Sequence, residues 1–338
     1  MESLAVKYRP KHFEDVLGQS IVVDILKKQL ETNTFKNSYL FYGPSGCGKT
    51  TLAKIFANEI NKGIGNPIEI DAASNSGVDN VRDIIKLAQE RSIEGEYKIF
   101  IIDEVHAISS AAWQAFLKCI EEPPTYTIFI FCTTEIQKVP QTIQNRVQSF
   151  KLNKIDLNDL KLRLTQICDN EGFYNYEDSI DYIAKLSNGC CREAISMLDK
   201  CVSFSKDLKF DNVIRCLGDC SYNVFFNLTN SIIDNDEKNI INILEHYYNE
   251  GNDFKQFVDQ YIKFCFDIVK YIIFKSFDNI NIPTYEENNV KNIINIEGAH
   301  DYYLYIINKL LELKNNIKID NNIKDTVEIN FIKISRGE

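Results

Sequence analysis

Residues 39–50 read YLFYGPSGCGKT. An apolar run, a glycine-rich turn and then the amphipathic stretch TLAKIFANEI (51–60) spell strand, loop and helix in that order. GPSGCGKT (43–50) matches G-x-x-x-x-G-K-[ST] in the setting where that pattern binds phosphate. Gly43, Gly46 and Gly48 let the backbone close around a phosphate, and the N-terminus of the following helix adds its dipole. Lys49 is expected on the β and γ phosphates and Thr50 on a magnesium ion, with Pro44, Ser45, Cys47 and Thr51 completing the loop. The expected ligands are ATP and Mg2+.

Outward from this loop, short apolar runs alternate with amphipathic stretches: IEI (68–70), KIFII (98–102), TIFIFCTT (127–134) and VQSFKL (147–152). Strands alternating with helical patterns predict an α/β domain with a parallel sheet covered on both faces. KIFIIDEVH delivers Asp103 and Glu104 at the C-terminal end of a buried strand. Two adjacent carboxylates at a strand mouth divide the work of hydrolysis, Asp103 holding the Mg2+ shell and Glu104 polarising the attacking water. Acidic pairs at strand ends are common, and the glycine-rich loop before them is what favours hydrolysis over binding alone. The next strand ends in CTTE (132–135), which places the Thr134 hydroxyl near a γ-phosphate, although threonine is common in strands.

IQNRVQSFKL (143–152) sets a fixed positive charge, Arg146, beside a strand. From about residue 155 the pattern turns helical. In DLNDLKLRLTQICDNEG, Leu157, Leu160, Leu164 and Ile167 share one face and Gly172 is a stop signal. Leu217-Gly218-Asp219 reads as a hinge, and longer helices follow. Three parts are expected: 1–155, an α/β core; 156–217, a small helical domain; 218–338, an all-α domain. The many tyrosines and phenylalanines at helical spacing read as core.

A chain of 338 residues is long enough for two or three domains. No run approaches the roughly 18 apolar residues of a membrane span, and MESLAVKYRP lacks the basic-then-apolar layout of a secretory signal, so the cytoplasm is expected. The ten cysteines include no C-x-x-C pair, and they read as reduced, buried thiols rather than a metal site. A net charge of −10 argues against a surface coated in positive charge for nucleic acid. Residues 1–155 carry about 18 basic and about 18 acidic side chains, so the acidic excess lies in the remainder and any DNA contact belongs to the first part.

Five strings in order, LAVKYRPKHFEDVLGQ (4–19), GPSGCGKT, IEIDAASNSGVDNVRD (68–83), IIDEVHAISSAAWQAFLKCIEEPP (101–124) and CTTEIQKVPQTIQNRVQSF (132–150), strongly resemble the gamma/tau motor subunit of the bacterial DNA polymerase III clamp loader. They are more distantly similar to the small subunits of replication factor C. The match is strong over about residues 4–200. It implies an AAA+ P-loop core, a helical lid and a helical collar through which loader subunits form a pentameric ring. By the same resemblance Tyr8, Arg9 and Pro10 border the adenine and ribose, and Arg192 in NGCCREAISMLD is the lid arginine on the γ-phosphate of its own subunit. Composition alone would make Arg192 a surface residue at a helix start. Arg146 corresponds to the arginine that reaches into the neighbouring subunit's ATP site, a delocalised and permanent charge suited to a transferring phosphoryl group. Its flanks are Asn145 and Val147 where relatives have Ser and Cys. The relatives' four-cysteine zinc module is missing here, since ANEINKGIGNP runs straight into IEIDAAS.

The resemblance implies an ATP hydrolase that opens a sliding clamp and loads it on primer-template DNA. Ser76 with Asp79 is expected to open a helix as a capping box, and Ser109 or Ser110 another. Free N–H groups at such helix starts can follow phosphates, which makes Ser74, Asn75, Ser76 and Arg82 candidates for DNA, ordinary capping being the plainer alternative. Two rivals remain: a non-hydrolysing structural subunit of the ring, and another AAA+ DNA motor such as a branch-migration helicase.

Overall fold

The computed structural model describes residues 2–277, 280–318 and 322–337. Strands β1 (Ser38–Tyr42), β2 (Ile68–Asp71), β3 (Lys98–Asp103), β4 (Thr127–Thr133) and β5 (Gln148–Lys151) form one sheet in the order β2-β3-β4-β1-β5. Every pairing is parallel. Each apolar run read as a strand is one.

The three inner strands are apolar at nearly every position because both faces are covered. Tyr39, Phe41, Ile99, Ile101, Ile128 and Ile130 pack in one core with residues of α2 (Ser20–Glu31) and α3 (Lys49–Ile60), which follow the short α1 (Leu4–Lys7). Their neighbours Leu40, Phe100, Ile102, Phe129 and Phe131 pack in the other, with residues of α4 (Val78–Ala88) and α5 (Ser110–Glu121). The edge strand β2 instead alternates half-buried and exposed residues, and its Glu69 pairs with Lys54 at 2.5 Å.

Two compact units divide the chain: Met1–Gly172 with Ile183–Asp199, and Phe173–Tyr182 with Lys200–Glu338. In the first, α6 (Gln141–Gln144) precedes β5 and α7 (Leu157–Glu171) follows it. Asp156 caps α7 by accepting from Asn158 N, and Gly172 ends it at φ 69°, as its sequence predicts. Leu160, Leu164 and Ile167 are buried. Helices α8 (Glu177–Leu186) and α9 (Cys191–Phe204) each begin in one unit and end in the other.

The second unit is helical: α10 (Phe210–Leu217), α11 (Tyr222–Ile233), α12 (Glu237–Asn249), α13 (Phe254–Phe274), α14 (Glu287–Ile293), α15 (Ala299–Asn316) and α16 (Ile323–Arg336). Its centre is aromatic, with Phe225, Phe257, Phe264 and Phe331 packed around the fully buried Tyr261. The segment read as a hinge is pinned inside this unit. Gly218 stops α10 in the left-handed conformation, and Asp219 accepts from Tyr182 Oη at 2.8 Å and Gln260 Nε2 at 2.5 Å.

Candidate nucleotide site

The strand order places β4 between β1 and β3, so the loop after β1 and the acidic pair after β3 open at the same end of the sheet. Gly43 N donates to Thr133 O at 3.2 Å, tying the loop to the end of β4. Gly46 has φ 66°, and a Cβ there would collide with Cys190 Sγ. The residue must be glycine on both counts. This close approach seats the turn before α9 on the loop, helped by Ile155 N donating to Gly189 O at 3.1 Å and Lys154 Nζ to Asn188 Oδ1 at 2.9 Å. Arg192, the second residue of α9, is exposed there, with its Cβ 3.6 Å from the position a Gly46 Cβ would take.

Lys49 is 7% exposed, and its ammonium donates to Gly43 O at 3.0 Å and Pro44 O at 2.8 Å. A buried cation bonded to carbonyls of its own loop is readily re-aimed at an anion in that loop. Thr50 Oγ1 donates to Asp103 Oδ2 at 2.5 Å, across 53 residues of chain. A hydroxyl and a carboxylate in contact are hard oxygen donors of the kind Mg2+ takes, so these residues fit that ion. Cys47 is buried in the core beneath the loop, and burial pushes its thiol up. Ser45 is exposed at the loop tip.

Glu104 sits in the left-handed region at φ 50°, ψ 41°, with its N–H donating to Asp103 Oδ1 at 2.9 Å. Such a conformation in a non-glycine residue costs on the order of 1 kcal/mol and turns the side chain out of the strand direction. Its Oε2 lies 3.5 Å from Thr134 Oγ1 and 3.2 Å from His106 Nδ1. Thus Thr134 and Glu104 do meet. His106 was not singled out by the sequence, although it stands two positions after Glu104 in KIFIIDEVH.

From the N-terminal segment, Arg9 Nε donates to Thr51 Oγ1 at 3.2 Å, which brings Arg9 to the start of α3. Tyr8 Oη donates to Glu171 Oε1 at 2.6 Å, and partial burial together with that carboxylate pushes the phenol up to about 12. Pro10 is half-buried. Gln19 was also missed. It is 4% exposed and donates to Asn153 O at 2.8 Å and Cys47 O at 3.4 Å, bracing the loop against the chain after β5. A lone glutamine at the start of a helical pattern gives no sequence signal for that role.

Arg146 has partners of its own. Its NH1 donates to Thr142 O at 2.8 Å and its NH2 pairs with Glu121 Oε1 at 2.6 Å, with 39% of the side chain exposed. Its altered flanks serve local structure: Asn145 Oδ1 accepts from Gln141 Nε2 at 3.0 Å, and Val147 is buried.

The DNA candidates hold local partners. Ser74 Oγ donates to Asp71 Oδ2 at 3.2 Å, Asn75 Nδ2 to Asp71 O at 3.0 Å, and Arg82 NH1 to Asp79 Oδ1 at 3.1 Å. The expected capping box at Ser76 does not form. Gly77 is the N-cap of α4 without a side-chain cap, and the Ser76 carbonyl accepts from Ser109 N at 3.3 Å. Glycine's extended backbone at position 77 moves the helix start one residue on. Ser109 does cap α5, accepting from Ala112 N at 3.3 Å.

Residues 67–156 match a family model described as DNA polymerase III, delta subunit. The chain is 37% identical over 286 residues to DNA polymerase III subunit tau of Bacillus subtilis, covering 78% of this chain and 51% of that protein. It is 31% identical over 332 residues to the gamma/tau subunit of Mycoplasma genitalium, 91% of this chain and 55% of that one. It thus spans about half the length of these two relatives. The gamma subunit of Buchnera aphidicola subsp. Baizongia pistaciae matches at 27% identity over 98% of this chain and 96% of its own. Among solved structures, the Thermotoga maritima RuvB Holliday junction branch migration motor aligns with TM-score 0.53 and 21% identity over 67% of this chain and 79% of that one, a likeness of fold. The fold is AAA+, and over most of its length the chain is a homologue of the gamma, tau and gamma/tau subunits of bacterial DNA polymerase III.

Proposed function

We propose that the chain is an ATPase subunit of a sliding-clamp loader that opens a clamp and places it on primer-template DNA in the bacterial cytoplasm. The observation that carries this is the contact of Thr50 with Asp103 beside Glu104, an arrangement that suits metal-assisted hydrolysis. Residues 1–155 form the ATPase core, 156–217 the lid and 218–338 the collar through which other loader subunits complete a ring. Among the described residues no helix is long and apolar enough to cross a membrane.

In this reading the loop from Gly43 to Thr51 binds the phosphates of ATP, Tyr8, Arg9 and Pro10 border its base and sugar, and Lys49 turns from its carbonyl partners to the β and γ phosphates. Thr50 and Asp103 hold Mg2+, which offsets charge on the phosphates when bound. Glu104 orients the attacking water with Thr134, and Arg192 meets the γ-phosphate from the lid. Arg146 exchanges Glu121 for the phosphates of the next subunit, so that hydrolysis waits on assembly. Ser74, Asn75, Ser76 and Arg82 face DNA phosphates, without reading bases.

The test is ATP turnover with and without sliding clamp and primed DNA, in wild type and Arg146→Ala. Turnover should rise with clamp and DNA and fall by about 10³-fold or more without the arginine. Turnover indifferent to clamp and DNA would refute the loader reading, and a normally active Arg146→Ala would refute the role in trans. A chain that binds ATP but never turns it over is the structural-subunit alternative.

A further inference from the structure

His106 lies in the short turn after Glu104, and 21% of its side chain is exposed. Nδ1 faces two oxygens, Glu104 Oε2 at 3.2 Å and Thr133 Oγ1 at 3.3 Å. Thr133 is fully buried at the end of β4 and accepts from Glu135 N at 3.0 Å, so it is a fixed stop for the imidazole. On the far side of the ring, Nε2 faces Glu135 Oε1 at 3.6 Å. That carboxylate is itself held by Lys138 Nζ at 2.9 Å. The ring therefore has Thr133 at hydrogen-bonding distance from Nδ1 and a carboxylate near each nitrogen.

Glu104 gains from this. Its backbone is in a left-handed turn, and its carboxylate is half exposed, so nothing in the strand itself fixes where the carboxylate points. Thr134 Oγ1, at 3.5 Å, is a weak partner by itself. A carboxylate that orients water needs one oxygen held and the other free. Oε2 is the oxygen that faces His106 and Thr134.

We infer that His106 is a positioning residue of the hydrolytic site: its ring, set against Thr133 and bordered by Glu135, limits where the Glu104 carboxylate can turn. This rests on the reading of Glu104 as the water-orienting group. The imidazole does not touch the nucleotide and exchanges no proton with water in this role. Glu135 opens the segment that runs through α6 to Arg146, whose Gln144 Nε2 donates to Ile136 O at 3.1 Å and Val139 O at 2.8 Å. A displacement of that segment by a neighbouring subunit would reach Glu104 through one ring.

The test compares full-length His106→Ala, His106→Asn, Glu135→Ala and the double variant His106→Ala/Glu135→Ala with wild type and Glu104→Gln, by steady-state ATP turnover in the presence of clamp and primed DNA. Letting the Glu104 carboxylate turn away predicts a fall in kcat of about ten- to a hundred-fold in His106→Ala, with KM for ATP unchanged. Asn keeps an N–H donor close to the place of Nδ1 and should recover most of the loss. Glu135→Ala should lower kcat less, and its effect should vanish in the double variant. An unchanged kcat in His106→Ala, an equal loss in Ala and Asn, a raised KM with intact kcat, or an additive double variant each overturns the inference. If instead Glu104→Gln turns over normally, it is the hydrolytic reading of Glu104 that fails, whatever His106 does.

Discussion

Arg146 carries a charge whose present partner is easily given up. Its ion pair with Glu121 joins two side chains that are each about two-fifths open to water, and such a pair contributes about 0–1 kcal/mol. The proposed role of Arg146 in a neighbour's site therefore asks it to give up little. Glu121→Gln should leave stability within about 0.5 kcal/mol of wild type by urea unfolding and should not lower ATP turnover of the assembled ring. A tenfold fall would mean that Glu121 aims the arginine rather than merely storing it. Lys49 differs: it is buried and bonded to two carbonyls of its own loop. Both cations were visible in the sequence, but only the structure shows one buried and the other about two-fifths exposed.

At the scale of elements, the turn Asn188–Cys190 and the glycine-rich loop depend on each other. In Gly46→Ala the left-handed backbone costs about 1 kcal/mol and the new methyl collides with Cys190 Sγ. We expect at least about a tenfold loss of ATP affinity in titrations with a fluorescent analogue. Adding Cys190→Ala should recover only part of it, since the two Cβ atoms would still be 3.3 Å apart. In α13, Asp267 is 3% exposed, and burial raises its carboxyl above the usual range against the opposing pull of Asn281 N–H and Lys270. A carboxyl raised in the folded state supports stability below its unfolded pKa and withdraws that support as pH rises through the folded value. At pH 7 the charge therefore costs stability. Asp267→Asn should melt at a higher temperature than wild type at pH 7, and the difference should close as the pH is lowered below the carboxylate range.

At the scale of the whole molecule, α8 and α9 each contribute to both compact units. Urea unfolding followed by the Trp113 fluorescence of the first unit and by far-UV circular dichroism should resolve two cooperative transitions rather than three. A third transition would make the small helical part an independent domain. The nucleotide loop, the five strands and the acidic pair were legible in order because they are local: a glycine where the backbone must turn left, and apolar runs wherever a strand is covered on both sides. The helix from Leu157 was legible too, stop signal included. Ser76 misled because a capping serine and a glycine N-cap one residue later share the same polar context. His106 and Gln19 could not be read, because their partners lie at the ends of other strands: Thr133 and Glu135 for one, Asn153 for the other. The order of residues was enough to specify a phosphate loop, a parallel sheet and a helical remainder, since each follows from short-range periodicity and turn chemistry. Which oxygen of Glu104 faces His106, which carboxylate pairs with Arg146 and where the turn before α9 touches the glycine-rich loop were decided only when distant segments packed, because those contacts depend on distances that no local pattern encodes.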